Sequence, residues 1–379
     1  MTVSLAIAAA LAGLAFLAGR YLAPPAASAT HARQGWLFAG GKIAHDLPGS
    51  PMVGQLYAEY QLPAARRHRY PVVMIHGGRQ TGTNFTGTPD GREGWAQYFV
   101  REGFAVYVVD APGRGRAAYN RDAYGPLRPL DHEFALRQFV APERYALWPQ
   151  AHLHSQWPGE AVPGDRTFDA FMASQQPGIA DFALQQELMR DACAALLDEI
   201  GPAILLVHSQ AGAFAWPVAQ ARPGIVKAIL AIEPSGPPVH DIVALGAPEW
   251  FRDDARVKIS GLGDLALAYA PAPAPGEELA FVRAPAEGPD LPRCWLQQEP
   301  ARRLVGLDSI PVLLVSGEAS YHASYDHCTA AYLQQAGVEV DHVRLADVGI
   351  RGNGHMMMQE KNSDEIAELL VRWLSRRQF

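Results

Sequence analysis

Cysteine is scarce in this chain. Cys193, Cys294 and Cys328 are its only three, widely spaced and without a Cys-x-x-Cys or Cys/His metal pattern, so no metal site is expected. The odd count leaves at least one thiol free. Cys193 falls on an amphipathic stretch and reads as a small core residue. A bridge between Cys294 and Cys328 is open, but sequence alone cannot pair them. Charge is modest too, at 19% of residues, with a net charge of −7 and the basic residues scattered. No basic stripe exists to follow a phosphate backbone, so no nucleic-acid partner is expected. No internal repeat is seen, which argues against a solenoid or propeller. What is plentiful is apolar: 49% hydrophobic residues, with Gly 35 and Pro 30. Such a chain is globular and loop-rich. At 379 residues it has room for one large α/β domain with insertions, or for two domains.

Residues 3–19 are nearly all apolar, Arg20 follows, and Ala27-Ser28-Ala29 offers a small-residue cleavage pattern. Residues 1–29 therefore read as a signal peptide, and the protein as exported, to the periplasm or the medium. No Lys or Arg precedes the apolar run, and the run approaches the ~20 residues that span a bilayer. An uncleaved N-terminal membrane anchor is thus the competing reading. Residues 30–379 are expected to form the folded domain.

That domain is organised around residues 203–217. Ile204 to Val207 reads as a buried strand, halted at His208-Ser209-Gln210 and followed by the small residues Ala211, Gly212 and Ala213. A strand that turns at a serine into a helix of small residues matches a nucleophile elbow. The match to G-x-S-x-G is imperfect. Val207 and Ala211 occupy the glycine positions, and Gly212 comes one residue late. A serine capping an ordinary helix is the plainer alternative.

Around this stretch, apolar strands alternate with helices. Strands are read over 70–75, 105–110, 204–207, 226–232, 310–316 and 340–345, and helices over 95–102, 181–200, 322–336 and 364–377. Leu184, Leu188, Ala192 and Leu196 are taken as the buried stripe of the second helix. Two or three antiparallel strands precede, over 36–62, with Gly40-Gly41 and Pro48-Gly49 as turns. The pattern predicts an α/β fold with a mainly parallel central sheet and helices on both faces. Residues from about 117 to 180 break the rhythm with aromatics, prolines and histidines, and are read as an inserted cap over the site. A Pro-rich insertion occupies about 268–300.

In an open sheet of this kind the ligand site lies at the carboxyl ends of the strands. His76-Gly77-Gly78, Ser209, Glu233 and His355 all fall there. A serine hydroxyl needs a base, and an imidazole base needs a carboxylate to set its tautomer. His355, late in a glycine-rich loop, is the best base. His342 falls in a strand, His322 and His327 fall on a helix, and His208 is expected to point away from the serine. Two acids compete. Glu233 ends the strand after the nucleophile's strand, and Glu318 ends the next. Generic topology favours Glu318. The backbone N–H groups of Gln210 and of Gly78 or its neighbour are the candidate oxyanion donors. Asp110, in Asp-x-Pro-Gly-x-Gly, reads as a loop-shaping residue.

These strings resemble the α/β-hydrolase superfamily and, within it, the bacterial secreted esterases related to Alcaligenes esterase 713. The resemblance rests on His76-Gly77, Thr88-Pro89-Asp90-Gly91-Arg92 with Gly94-Trp95, Asp110, Gly113-Arg114-Gly115-Arg116, His208-Ser209-Gln210, Glu233-Pro234 and Ser309-Ile310-Pro311-Val312. It extends to Gly352-Asn353-Gly354-His355-Met356-Met357-Met358-Gln359. It implies the α/β-hydrolase fold and a carboxylesterase with a Ser209–His355–Glu233 triad, which moves the acid from Glu318 to Glu233. It implies no cofactor, and an exported homodimer. Where that family can carry two bonded cysteines after His-Gly, this chain has Gly78 and Arg79, so that disulfide is absent. The expected substrate is a small ester. A lactone hydrolysed by the same residues is the nearest alternative, and a non-catalytic exported binding protein on this fold is a remoter one. An epoxide hydrolase or dehalogenase would need an aspartate at the elbow, where this chain has serine.

Overall fold

The structure is a computed structural model that describes residues 30–379; the leader read at 1–29 lies outside the described residues. Strands β1 (His31–Ile43) and β2 (Met52–Pro63) form an antiparallel pair. They are followed by β3 (Val72–Ile75), helix α1 (Trp95–Arg101), β4 (Val106–Asp110), helix α2 (Arg166–Ser174) and helix α3 (Phe182–Ile200). Next come β5 (Ala203–His208), helix α4 (Gly212–Ala221), β6 (Val226–Ile232), β7 (Val312–Ser316), helix α5 (Asp326–Gln335), β8 (Val340–Arg344) and helix α6 (Ser363–Arg376). The eight strands form one sheet in the order β1-β2-β4-β3-β5-β6-β7-β8. β2 is antiparallel to β4, and every pairing from β4 to β8 is parallel.

The central strands are apolar at nearly every position because both sheet faces are covered. Alternate residues feed two cores. Val72, Met74, Leu206 and Leu230 face one, with Trp95 and Phe99 of α1 and Leu370 of α6. Val73, Ile75, Leu205, Val207 and Ile229 face the other, with Met189 of α3, Phe214 of α4 and Leu333 of α5. Each such buried side chain contributes roughly 1.5–3 kcal/mol relative to exposure, so the strand ends that carry the site stand on a rigid platform.

Several local expectations shift. Gly40-Gly41 is not a turn; both residues lie within β1 at φ of 70° and 80°. A Cβ at Gly40 would sit 2.9 Å from the Ala192 backbone, so the glycine lets α3 pack close to the hairpin. Of the stripe expected on α3, Ala192 and Leu196 are buried, but the buried face is wider and also takes in Gln185, Met189, Cys193 and Leu197. Leu184 and Leu188 are only partly buried, against a small cluster with Val53 and Tyr124. The helix read over 322–336 is broken. Tyr321–Ser324 is a 3₁₀ turn, and Tyr325 at φ −138° separates it from α5. Residues 240–308 hold antiparallel ribbons that their composition hides: His240–Gly246 with Trp250–Val257, and Phe281–Arg283 with Trp295–Gln297. Cys294 and Cys328 are bonded, tying the second ribbon to α5, while Cys193 is a buried free thiol.

Residues 117–180 form a run of short helices over the strand ends. Phe139 stacks on His355, Trp148 Nε1 donates to the Ala319 carbonyl at 3.0 Å, and the Gln176 N–H donates to the Arg79 carbonyl at 2.8 Å.

Candidate active site

The turn from β5 to α4 places Ser209 at φ +54°. A β-carbon in that region costs of order 1–3 kcal/mol and persists only where surroundings impose it. The neighbours explain the departure from G-x-S-x-G. Ala211 is fully buried and fits. At Gly212, by contrast, a Cβ would lie 2.4 Å from the Pro234 Cβ. The glycine this elbow needs is therefore the one at 212, where α4 meets the turn after β6.

The loop after β3 passes directly over the serine. A Cβ at Gly77 would sit 3.0 Å from the Ser209 Cβ, and one at Gly78 would sit 3.3 Å from Gln210 Oε1. At Gly77, with Gln80 Oε1 and His208 Nδ1 also within 3 Å, only glycine fits. Gly78, Ser209 and Gln210 line one pocket of about 310 Å³. His76 is buried beneath the loop. Its Nδ1 donates to the Gly77 carbonyl at 2.8 Å, and its Nε2 accepts the Ala111 N–H at 3.2 Å. Burial, and then the Arg114 charge, push its pKa down to about 4, so it stays neutral and holds the loop in place.

His355 Nδ1 lies 2.6 Å from Glu233 Oε2, and both side chains are buried. Glu233 itself has φ +45°, a backbone turn that aims its carboxylate across the top of the sheet. Its other contacts are the Gly317 N–H and the Ser320 hydroxyl, each donating at 2.7 Å. Burial, and then the Asp326 charge, raise the Glu233 carboxyl well above its ordinary range, against the pull of those two donors. Burial lowers His355 well below the usual imidazole range, and the nearby His208 and His322 lower it further. A neutral imidazole with its proton on Nδ1, facing the carboxylate, leaves Nε2 free to accept a proton. Phe139 and His322 both stack on the ring, at centroid distances of 5.2 and 4.9 Å. The Tyr321 hydroxyl stands 3.2 Å from His355 Nε2, and Tyr321 lines the same pocket as Ser209.

The structure brings Ser209, Glu233, His355, Gly78 and Gln210 to one place. Glu318 is elsewhere, accepting the Gly352 N–H at 2.8 Å and pairing with Arg351 at 2.6 Å. His208 does not point away from the site. Its ring lies 4.5 Å from that of His355, and its Nε2 donates to the His355 carbonyl at 3.0 Å. His208 is still extended and paired with Ile232 in β5, so its ring continues the face of Leu206, and the histidine loop packs on that face. Burial pushes the His208 pKa down to about 3, so it braces the loop as a neutral ring. Asp110 shapes its loop, accepting the Gly82 and Arg116 N–H groups at 2.7 and 3.0 Å.

Sequence reasoning missed Tyr321, Ser320 and Phe139. Position after β7 was the one available signal for the first two. It also missed Glu360, which holds the histidine loop by accepting from the Gly354 N–H at 2.9 Å and Asn353 Nδ2 at 2.8 Å.

A strained serine at a strand–helix turn, glycines over it and a buried His–carboxylate pair near it, on a doubly wound sheet, form an arrangement able to carry nucleophilic chemistry. The family follows from comparison. Residues 72–369 match the model of the alpha/beta hydrolase family. The chain is also 42% identical over 322 residues to a probable secreted lipase, phiG, of a fungal species (strain ATCC 74256), an alignment spanning 85% of this chain and 86% of that one. The chain belongs to the alpha/beta hydrolase family. In fold it is similar to a novel bacterial esterase of known structure, with a TM-score of 0.61, 24% identity, and coverage of 94% of this chain and 99% of that one.

Proposed function

We propose that the protein is a serine carboxylic-ester hydrolase. Ser209 Oγ attacks the ester carbonyl, and its proton passes to His355 Nε2. For this the Tyr321 hydroxyl yields its place beside Nε2 as substrate enters. Glu233 accepts from Nδ1 and stabilises the imidazolium that forms. The Gly78 and Gln210 N–H groups hold the oxyanion. The bond to the alcohol then breaks, the alcohol leaves with the proton from Nε2, and an acyl-enzyme remains. Water, deprotonated by the same nitrogen, releases the acid and restores the serine. The observation that carries this reading is the 2.6 Å buried contact between His355 and Glu233 beside a serine at φ +54°.

The test is p-nitrophenyl acetate mixed rapidly with enzyme. A burst of p-nitrophenol stoichiometric with enzyme, absent in Ser209→Ala, is expected. No turnover by the wild-type enzyme would overturn the reading in favour of a binding protein on this fold. The name of the fungal relative, a secreted lipase, supports export through residues 1–29, and N-terminal sequencing of exported protein tests it.

A further inference from the structure

The pocket beside Ser209 is lined by five cationic side chains and one acidic one, in a chain whose net charge is −7. Two of the cations are matched. Lys258 pairs with Asp241 at 2.5 Å, and Arg256 with Asp264 at 3.0 Å. The other three, Arg79, Arg114 and Arg128, form no ion pair among the described residues. Arg114 is only 3% exposed, and its guanidinium donates solely to neutral acceptors: the Gly77 carbonyl at 3.0 Å, Gln185 Oε1 at 2.5 Å and Gln210 Oε1 at 2.9 Å. Burying a guanidinium without a carboxylate is costly, and proteins ordinarily avoid it.

The three guanidiniums also act on one another. Burial, and then the Arg79 charge, lower the Arg114 pKa to about 10; burial and then Arg128 lower that of Arg79. Arg79 is half-buried, held at φ +60° on the oxyanion loop with its guanidinium over the Phe134 ring. Arg128 is exposed at the pocket rim. Positive charge is therefore concentrated, unneutralised, beside the serine, while Phe134, Phe139 and Ile179 give the same pocket apolar walls.

We propose that this pocket takes an ester whose non-reacting portion carries a carboxylate, held by Arg79 and Arg128 within the field of Arg114. The proposal rests on the ester-hydrolase reading above. The substrate class is the half-ester of a dicarboxylic acid or an ester of comparable charge, with an apolar spacer between the anion and the scissile bond. Guanidinium forks suit a carboxylate geometrically.

The experiment compares kcat/KM for monoethyl adipate and diethyl adipate, which share the scissile bond and differ in one charge. The half-ester should be preferred by roughly tenfold or more at low salt, and the preference should shrink as NaCl rises. Arg79→Gln and Arg128→Gln should each reduce the ratio of the two kcat/KM values by roughly tenfold, a loss of one charged hydrogen bond. Arg79→Lys should recover part of it, and thermal melts check that each variant folds. Equal or better hydrolysis of the diester, with a ratio unmoved by either substitution, overturns the proposal while p-nitrophenyl acetate turnover leaves the esterase reading standing. Failure of p-nitrophenyl acetate to react overturns both.

Discussion

The histidine loop is held by a charge triplet of which two members, His154 and Glu360, are buried, and its removal has a calculable cost. His154, in the segment between β4 and α3, is 2% exposed at its side chain and lies 3.0 Å from Glu143 and 2.9 Å from Glu360. Burial alone would lower its pKa; the hydrogen bonds with Glu143 and Glu360 more than reverse this, raising it to about 9. A rise from 6.5 to about 9 corresponds to about 3 kcal/mol of folding stability. Because the folded-state pKa is the higher one, this stability is fully present below about pH 6.5 and is lost as pH rises through about 9. His154→Gln should therefore lower Tm by about 4 °C at pH 6 for a chain of this size, and the gap should close by pH 10. Thermal unfolding of both proteins across that range, followed by circular dichroism, is the assay. A Tm gap of the same size at pH 6 and pH 10 would refute the reasoning, because it would mean that the lost contribution is packing and not charge. Glu360 also holds Gly354 and Asn353, next to His355, so the same loss should loosen the base.

The remaining substitutions probe the site itself. Glu233→Gln should lower kcat by about three to four orders of magnitude, as loss of a triad acid does. Glu318→Gln should change kcat by less than about tenfold, at a stability cost of about 1 kcal/mol for the bond to Gly352; steady-state kinetics with p-nitrophenyl acetate separates the two acids. Gly212→Ala forces a Cβ to 2.4 Å from the Pro234 Cβ, an overpacking that should cost about 1–3 kcal/mol, read by urea denaturation.

The parallel sheet was legible in the sequence because its strands, such as Ala203–His208, are apolar throughout and end in turn residues. Ser209 and His355 were legible from chain order: one ends a buried strand, and the other follows the last strand. Glu233 was not legible from topology alone. Whether its carboxylate or that of Glu318 reaches the imidazole depends on a backbone turn at φ +45°, which no residue type announces, and only the family resemblance singled it out. The elbow misled by one position, because the close contact that demands glycine comes from Pro234, a residue on another strand end. His208 misled because the His355 loop, 147 residues further along the chain, settles on the face that His208 occupies. Tyr321, Arg114 and His154 were invisible for a shared reason. Each has partners far along the chain, as with His154 and Glu360, 206 residues apart, and such pairings exist only once the sheet has assembled.

On the proposed function, the strained Ser209 is a nucleophile activated by its buried neighbours. The most direct measurement is mass spectrometry of the enzyme after exposure to a fluorophosphonate. One adduct per chain is expected, on the peptide that contains Ser209, formed slowly in Glu233→Gln and not at all in Ser209→Ala. An unmodified Ser209 peptide in folded wild-type protein, or equal labelling of several serines, would contradict it.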